Sequence, residues 1–311
     1  MKYTVGLQYA NDAFLDCIIQ NKAHIHEVYF AWGDFQNGRS THQLQNAQFT
    51  PWELQQRQIE CLRALSGAGI KLNLLFNANC YGAESQSRAL FERIGQACDY
   101  IQSRFGLNSV TTTSPLIAKF VKNNFPEVAT RASVNMEIGT VQGMDYLAAY
   151  FDGYYMKREL NRDLEAVASL SDWCRANGKS LHMLANSGCL NHCSAHNFHD
   201  NLVAHESEIA KMDNAYNFGG ICHEYLKDPA HHKSLIEDTN FIRPEDIHKY
   251  EPFFEAVKLA TRVHRSPESV LRSYIRGSYS GDILRLLEPA HSIYPFVVEN
   301  GDPLRIVKIG E

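Results

Sequence analysis

Short apolar segments alternate with amphipathic segments along most of the chain, and this pattern predicts strands and helices in turn. The first strand is expected at residues 3–8, a helix follows at residues 13–20, and the second strand is expected at residues 27–32. Roughly eight such strand-helix units follow one another, which is typical of a parallel sheet covered by crossover helices. We therefore predict an α/β fold: a (β/α)8 TIM-type barrel, regular or distorted, that forms a single domain over residues 1–311.

The remaining elements follow the same pattern. Further strands are expected at residues 71–76, 109–112, 130–134, 153–157, 180–184 and 256–260. A polar loop after the second strand leads to a helix that should begin after Thr50 and end at Gly67. Thr50 can cap this helix, Pro51 fits its first turn, and Glu53 suits the positive end of the helix dipole.

The carboxyl ends of the predicted strands carry mostly polar residues. In a barrel of this type the loops at these ends build the active site. We predict that the substrate is held by residues at this rim, namely Asn79, Arg131, Asn135, Lys157, Asn186 and Arg262. Arginines can hold a carboxylate or phosphate through paired hydrogen bonds, which predicts a small anionic substrate. The alternative is that the arginines only form ion pairs with Glu137 or Glu159.

Composition and charge narrow the class of protein. The net charge of −5 gives no indication of nucleic-acid binding. No apolar run is long enough to cross a membrane, and the first residues lack the apolar core of a signal peptide. We therefore expect a cytoplasmic protein, in which the eight cysteines are thiols or metal ligands rather than disulfides.

The cysteines divide into two groups. Four lie in predicted amphipathic helices and should be buried apolar residues: Cys17, Cys61, Cys98 and Cys174. Cys189 and Cys193 would share one face if their segment were helical, Cys222 follows a glycine-rich stretch, and Cys80 ends the third strand at the same rim. Four thiolates suit a 4Fe-4S cluster, so residues 186–225 are predicted to form a cluster-binding segment.

Zinc is the alternative metal, because four histidines lie close to these cysteines: His192, His196, His199 and His205. The Cys-x-x-Cys pairs of structural zinc sites are absent. The first three of these histidines would share a helical face, and His196 and His199 are candidate acids or bases. The plain alternatives are that the histidines only pack or face water, and that no metal binds.

Several segments resemble the peptidase U32 family, once called collagenase-like proteases. Residues 155–160, YMKREL, resemble that family's Arg-Glu-Leu-Ser element with Asn161 in the serine position, and residues 131–135 resemble the preceding strand. The Cys189 loop and the Cys189/Cys193 pair add to this similarity. The resemblance makes Arg158 and Glu159 further catalytic candidates. The chain departs from the family pattern because residues 183–188 lack the usual glutamate before the first cysteine.

The resemblance implies a barrel with four cysteines around an iron-sulfur cluster. It also implies oxygen-independent hydroxylation of RNA or of a small molecule, in which prephenate is an oxygen donor in some members. Two alternatives stay open: a metal-dependent peptidase or hydrolase, and a non-catalytic, cluster-bearing partner of a second protein of the same family. Nucleotide-binding, nucleophile-elbow and His-Glu-x-x-His motifs are absent from the chain.

Overall fold

Eight parallel strands form the centre of the computed structural model, which describes residues 1–38, 49–213 and 218–310. The strands are β1 Lys2–Gly6, β2 Ile25–Phe30, β3 Lys71–Phe76, β4 Ser109–Thr112, β5 Ala129–Ala132, β6 Gly153–Tyr155, β7 Ser180–His182 and β8 Ala256–Leu259. Their order in the sheet is β7-β6-β5-β4-β3-β2-β1-β8. The backbone of Lys258 bonds to Met183 and Ala185 beyond β7, so the two ends of the sheet meet. The predicted TIM-type barrel is confirmed.

Helices of the expected lengths surround the barrel. The longer ones are α1 Asp12–Gln20, α2 Pro51–Gly67, α3 Arg88–Phe105, α4 Pro115–Asn124, α6 Leu164–Ala176, α7 His196–Ala204 and α11 Pro267–Arg276. Short helices are α5 Val141–Asp145, α8 Glu206–Ile209, α9 Ile221–Tyr225 and α10 Ser234–Glu237. The four cysteines predicted to be apolar helix residues are buried, as expected. No helix of the described ranges is both long enough and apolar enough to cross a bilayer.

The structure differs from the predicted elements in the ends of several strands and in one additional hairpin. Five strands end two residues earlier than predicted, namely β1, β2, β5, β6 and β7. An antiparallel hairpin, β9 Phe296–Glu299 and β10 Arg305–Lys308, follows the barrel and was not predicted. Most of the polar loop predicted before α2 lies in residues 39–48, outside the described residues.

The predicted start of α2 has the full set of capping hydrogen bonds. The backbone N–H of Glu53 donates to Thr50 Oγ1 at 3.3 Å, and the Thr50 N–H donates to Glu53 Oε2 at 2.7 Å. Thr50→Ala is expected to lower the free energy of unfolding by about 1 kcal/mol, measured by urea denaturation. Thr50→Ser is the matched control and should behave like the wild type. Equal urea midpoints for wild type and Thr50→Ala would show that the cap contributes nothing.

The barrel interior contains a buried ion pair between Glu27 of β2 and Arg131 of β5. Asn73 Nδ2 and Ser109 Oγ also donate to the Glu27 carboxylate, at 2.8 and 3.2 Å. Burial alone raises the pKa of Glu27, but the Arg131 guanidinium and the hydrogen bonds outweigh it and lower the pKa to about 2. Arg131 therefore neutralises a charge inside the barrel. We predicted a substrate contact at the rim for it, and its position does not support that role.

Candidate functional site

The loop after β7 is attached to the loop after β8 by Asn186. The Asn186 Nδ2 donates to the Leu286 carbonyl at 2.9 Å, and its Oδ1 accepts from the Ala260 N–H at 2.7 Å. Asn186 is completely buried, and its amide is occupied by these backbone groups. We predicted that it binds substrate, whereas in the structure its side chain holds together the two loops that follow β7 and β8.

Cys189 is held in place by backbone contacts on both sides. The Asn240 Nδ2 donates to the Cys189 carbonyl at 2.9 Å, and His291 Nε2 lies 2.7 Å from the Gly188 carbonyl. A Cβ atom on residue 188 would collide with the carbonyl of Pro289, so this close approach requires glycine. The main chain around Cys189 is therefore packed between two other loops.

Residues 189–195 form turns rather than a helix, and α7 begins only at His196. The condition under which Cys189 and Cys193 would share a helical face is therefore not met, and the prediction that His192 shares a helical face with His196 is wrong. His192 has a φ of 59°, and its side chain is 85% exposed. The turns still bring Cys189 and Cys193 to one pocket, because the chain folds back at residue 192.

Three of the four predicted thiol ligands line the same pocket, which we call the thiol pocket. Cys189 and Cys193 come from the loop after β7, and Cys222 comes from α9. The other lining residues are Glu137, Arg158, Glu159, Leu190, His196, His199, Asn240 and Pro289. Burial raises the pKa of the Cys222 thiol, and the nearby Cys189 and Cys193 sulfurs raise it further. The three sulfurs are thus close enough for their charges to interact.

The structure places Cys80 elsewhere on the rim. A hydrogen bond with His205 lowers the pKa of the Cys80 thiol, and the Gly82 N–H donates to its sulfur at 3.3 Å. His205 Nδ1 in turn lies 3.0 Å from Glu208 Oε2. Cys80 is not among the described residues that line the thiol pocket. It was predicted as the fourth metal ligand, and the structure brings together only the other three cysteines.

A second possible ligand group shares Cys222. The donor atoms of Cys222, His223 and His291 all lie within 4.8 Å of one another, which is compact enough for one metal ion. Sequence reasoning missed both histidines. The position of His223 beside Cys222 was an available signal, whereas His291 reaches the site only through the fold. Of the four predicted histidines, His196 and His199 line the thiol pocket.

Arg158 lies between the thiol pocket and the barrel mouth. Its Nη1 is 3.5 Å from Cys189 Sγ, its Nη2 is 3.4 Å from Glu137 Oε1, and it also contacts His196. Burial alone lowers the pKa of Arg158, but Cys189, Asp200 and Glu137 outweigh it and raise the pKa. The ion pair with Glu137 that we weighed as an alternative is therefore present. Arg158 also offers a positive charge to the sulfur of Cys189.

Lys157 and Glu159 form an ion pair at the outer edge of the thiol pocket. Lys157 Nζ lies 2.7 Å from Glu159 Oε2 and 3.7 Å from Glu137 Oε2. Partial burial raises the pKa of Glu159, but Lys157 and the N–H of His192 outweigh it and lower the pKa. Glu159 is thus a carboxylate at neutral pH and is unsuited to donating a proton. Both residues border an open cleft that also contains Asn135 and Cys193.

A cavity of about 70 Å³ lies at the barrel mouth beside the thiol pocket, and we call it the mouth cavity. Its polar and charged lining comprises Tyr29, Asn77, Asn135, Arg158, Asp200, Lys258, Arg262 and Glu288. Asn135 and Arg262 are therefore where the substrate prediction requires them, whereas Asn79 is not part of this lining. Arg158 lines both the mouth cavity and the thiol pocket. Lys258 was missed, because a lysine inside a strand gives no local signal.

Comparison with known proteins supports the resemblance seen in the sequence. The chain is 23% identical over 228 residues to an uncharacterized protease of Methanocaldococcus jannaschii. This match covers 70% of the chain and 64% of the relative, slightly less than two thirds of the relative's length. The solved structure of the U32 peptidase Mk0906 superposes with a TM-score of 0.59 at 13% identity, covering 84% of this chain and 92% of that one.

No family model matches the chain, which agrees with its departure from the usual residues before the first cysteine. The U32 peptidase structure shares the barrel, and the archaeal relative shares sequence over most of the chain. The chain is thus similar in fold to a U32 peptidase and in sequence to an archaeal protein named as a protease, and its residues 131–135 and 155–160 resemble segments of the U32 family.

Proposed function

We propose that the protein is an iron-sulfur-dependent enzyme of the U32 type, whose cluster is held by Cys189, Cys193 and Cys222. The observation that supports this most strongly is that three free cysteines from two separate segments line one pocket at the catalytic end of the barrel. Thiolates are the usual protein ligands of iron-sulfur clusters. The resemblance to the U32 family independently implies a 4Fe-4S cluster on cysteines.

The residues of the thiol pocket fit such a cluster by their chemistry. All three cysteines are half-buried, unlike the four fully packed helix cysteines. Three neighbouring thiolates repel one another, and a cationic iron core relieves this repulsion. The imidazole of His199 lines the same pocket and is a candidate for the remaining coordination position, since histidine replaces cysteine in some clusters.

The reaction we propose is an oxygen-independent hydroxylation or a related redox modification. The cluster would supply electron transfer, and the side chains of the protein would tune its potential and hold the substrate. Arg158 donates towards Cys189 Sγ, and hydrogen bonds to sulfur tune the potential of a cluster. Arg262 and Asn135 line the adjoining mouth cavity and are suited to hold an anionic substrate. The cavity volume and the net charge of −5 favour a small molecule over RNA.

Metal analysis after anaerobic purification tests this proposal. We expect a brown protein that contains about four irons and a matching amount of sulfide per chain, with visible absorption typical of a cluster. Cys98→Ala is the matched control, because Cys98 is buried in α3 and lies outside the thiol pocket, so its variant should keep the iron. A colourless protein with one zinc, or with no metal, would refute the iron-sulfur assignment.

A metal-dependent hydrolase is the second candidate, and the group of Cys222, His223 and His291 is the observation that favours it. Three protein ligands and one open position are typical of catalytic zinc. This candidate predicts peptide hydrolysis that survives removal of iron and replacement by zinc. It also predicts that His291→Ala abolishes zinc binding, whereas the iron-sulfur proposal predicts that His291→Ala keeps its iron.

A further inference from the structure

Lys258 of β8 points into the barrel beneath the mouth cavity. Its side chain is 8% exposed, and its Nζ lies 4.1 Å from the centre of the Tyr29 ring and 5.0 Å from that of Tyr155. The aromatic faces give weak electrostatic support to a positive charge, but they accept no strong hydrogen bond. Lys258 is also part of the lining of the mouth cavity, as is Tyr29, whose ring lies closest to the Lys258 amine.

The environment of Lys258 differs from that of the other partly buried lysines. Lys179 Nζ donates to the carbonyls of Ala148 and Phe151, both at 2.7 Å, and Lys122 Nζ contacts Asp152 at 2.7 Å. Among the residues that the structure describes, no hydrogen-bond acceptor contacts Lys258 Nζ. A buried ammonium without acceptors is unfavourable, which favours the neutral amine.

Most neighbouring charges act in the same direction, and Glu27 opposes them by raising the pKa of Lys258. Arg262 and Arg158 line the same cavity and repel a further positive charge. Burial first, and then the charge of Arg262, lower the pKa of Lys258 to about 7. A large fraction of the side chain therefore carries a free lone pair at neutral pH, and this form of lysine attacks carbonyl carbons.

The size and lining of the mouth cavity also restrict which small molecules could react with Lys258. Its volume of about 70 Å³ is far below that of pockets for drug-sized ligands, so it suits a compound of few atoms. The guanidinium of Arg262 matches a carboxylate, and Asn77 and Asn135 are able to donate to a carbonyl oxygen. Asp200 and Glu288, in the same lining, are carboxyl groups able to exchange protons with a bound ligand.

We propose that Lys258 forms a reversible imine with a small 2-oxo acid bound in the mouth cavity. The Nζ lone pair attacks the carbonyl carbon, a proton passes from the nitrogen to the carbonyl oxygen, and a carbinolamine forms; the nitrogen gives up its second proton as water leaves. Loss of water, which carries away that oxygen, leaves the carbon-nitrogen double bond. No electron is transferred, so this step is independent of any metal in the thiol pocket and extends beyond the proposed redox function.

Reductive trapping on the full chain tests the proposal. The protein is incubated with pyruvate and cyanoborohydride, which reduces an imine to a stable secondary amine, and the modified lysine is located by peptide mass spectrometry. We expect one adduct per chain, on Lys258. Adducts spread over exposed lysines, or the absence of any adduct, would overturn the proposal.

Two variants and a second probe sharpen this test. Lys258→Arg keeps the positive charge but has no nucleophilic amine, so loss of the adduct is expected, whereas Lys179→Arg should be labelled like the wild type. Acetone carries the same carbonyl group without the carboxylate and should give little or no adduct. Undiminished labelling of Lys258→Arg would exclude Lys258 as the nucleophile, and equal labelling by acetone would exclude the 2-oxo acid as the ligand class.

Discussion

Cys222→Ala is expected to lose most of its iron, whereas Cys80→Ala is expected to keep the iron content and the visible spectrum of the wild type. The reason is geometric: Cys222 lines the thiol pocket with Cys189 and Cys193, and Cys80 is hydrogen-bonded to His205 at another part of the rim. Loss of one thiolate ligand exposes a cluster to solvent and weakens its binding. Iron, sulfide and absorption are measured on both variants after the same anaerobic purification.

The two variants are matched, because both cysteines are partly exposed residues at the same end of the barrel. Circular dichroism and a urea midpoint for each variant establish that the fold is intact. If Cys80→Ala loses its iron as completely as Cys222→Ala does, four thiolates bind the cluster, as the sequence alone predicts. If Cys222→Ala keeps its iron, the thiol pocket does not hold the cluster.

Glu27→Gln is expected to lower the free energy of unfolding by roughly 3–5 kcal/mol, as is typical when one partner of a buried ion pair is removed. The glutamine amide is similar in size to the carboxylate and still accepts from Asn73, so the packing changes little. Arg131, however, is left as a buried positive charge without its anionic partner. Urea denaturation at neutral pH measures the difference.

The double variant Glu27→Gln/Arg131→Met is the control, because it removes both charges and should recover part of the lost stability. Glu224→Gln breaks the exposed pair with Lys227 and should have little measurable effect. A Glu27→Gln protein that is as stable as the wild type would show that the pair contributes nothing. A double variant that is no more stable than Glu27→Gln would show that the unpaired Arg131 is not the cause.

The same pair predicts a specific dependence on pH. The pKa of Glu27 is lowered from 4.5 to about 2 in the folded chain, so the folded state holds the carboxylate more strongly than the unfolded state does. Its contribution to stability is complete above pH 4.5 and is lost as the pH falls towards 2. The stability difference between wild type and Glu27→Gln should therefore shrink over this range, and a constant difference would contradict the assignment.

The barrel could be predicted because its signals are local. The strands at residues 71–76 and 109–112 were predicted with the bounds that the structure shows. The start of α2 was predicted from Thr50, Pro51 and Glu53, which are close neighbours in the chain, and the structure has a capping box there. Apolar spacing and capping depend on neighbours in the chain, so they need no tertiary information. The ends of β1, β2, β5, β6 and β7 were predicted two residues too late, because the end of a strand depends on pairing with its neighbours as well as on local residues.

The candidate site was predicted in part. Cysteine is a distinctive ligand, so Cys189, Cys193 and Cys222 could be selected from residue type and surroundings. The helix that was expected to align the first two is absent, and the turn at residue 192 brings them together instead. Arg131 and Asn186 were selected because they lie at or near predicted strand ends, but Arg131 pairs with Glu27 inside the barrel and Asn186 joins two loops. A position near a strand end does not specify which way a side chain points.

Sequence patterning was sufficient for the order of the elements, the class of fold and the residues able to bind a metal, because each depends on short stretches of chain. Packing across the barrel determined which of those residues meet. It separates Cys80 from the other thiols, adds His291 from a distant loop and buries Lys258 in the same cavity lining as Arg262. These distances and charges arise between residues far apart in sequence, and only the closed barrel brings them together.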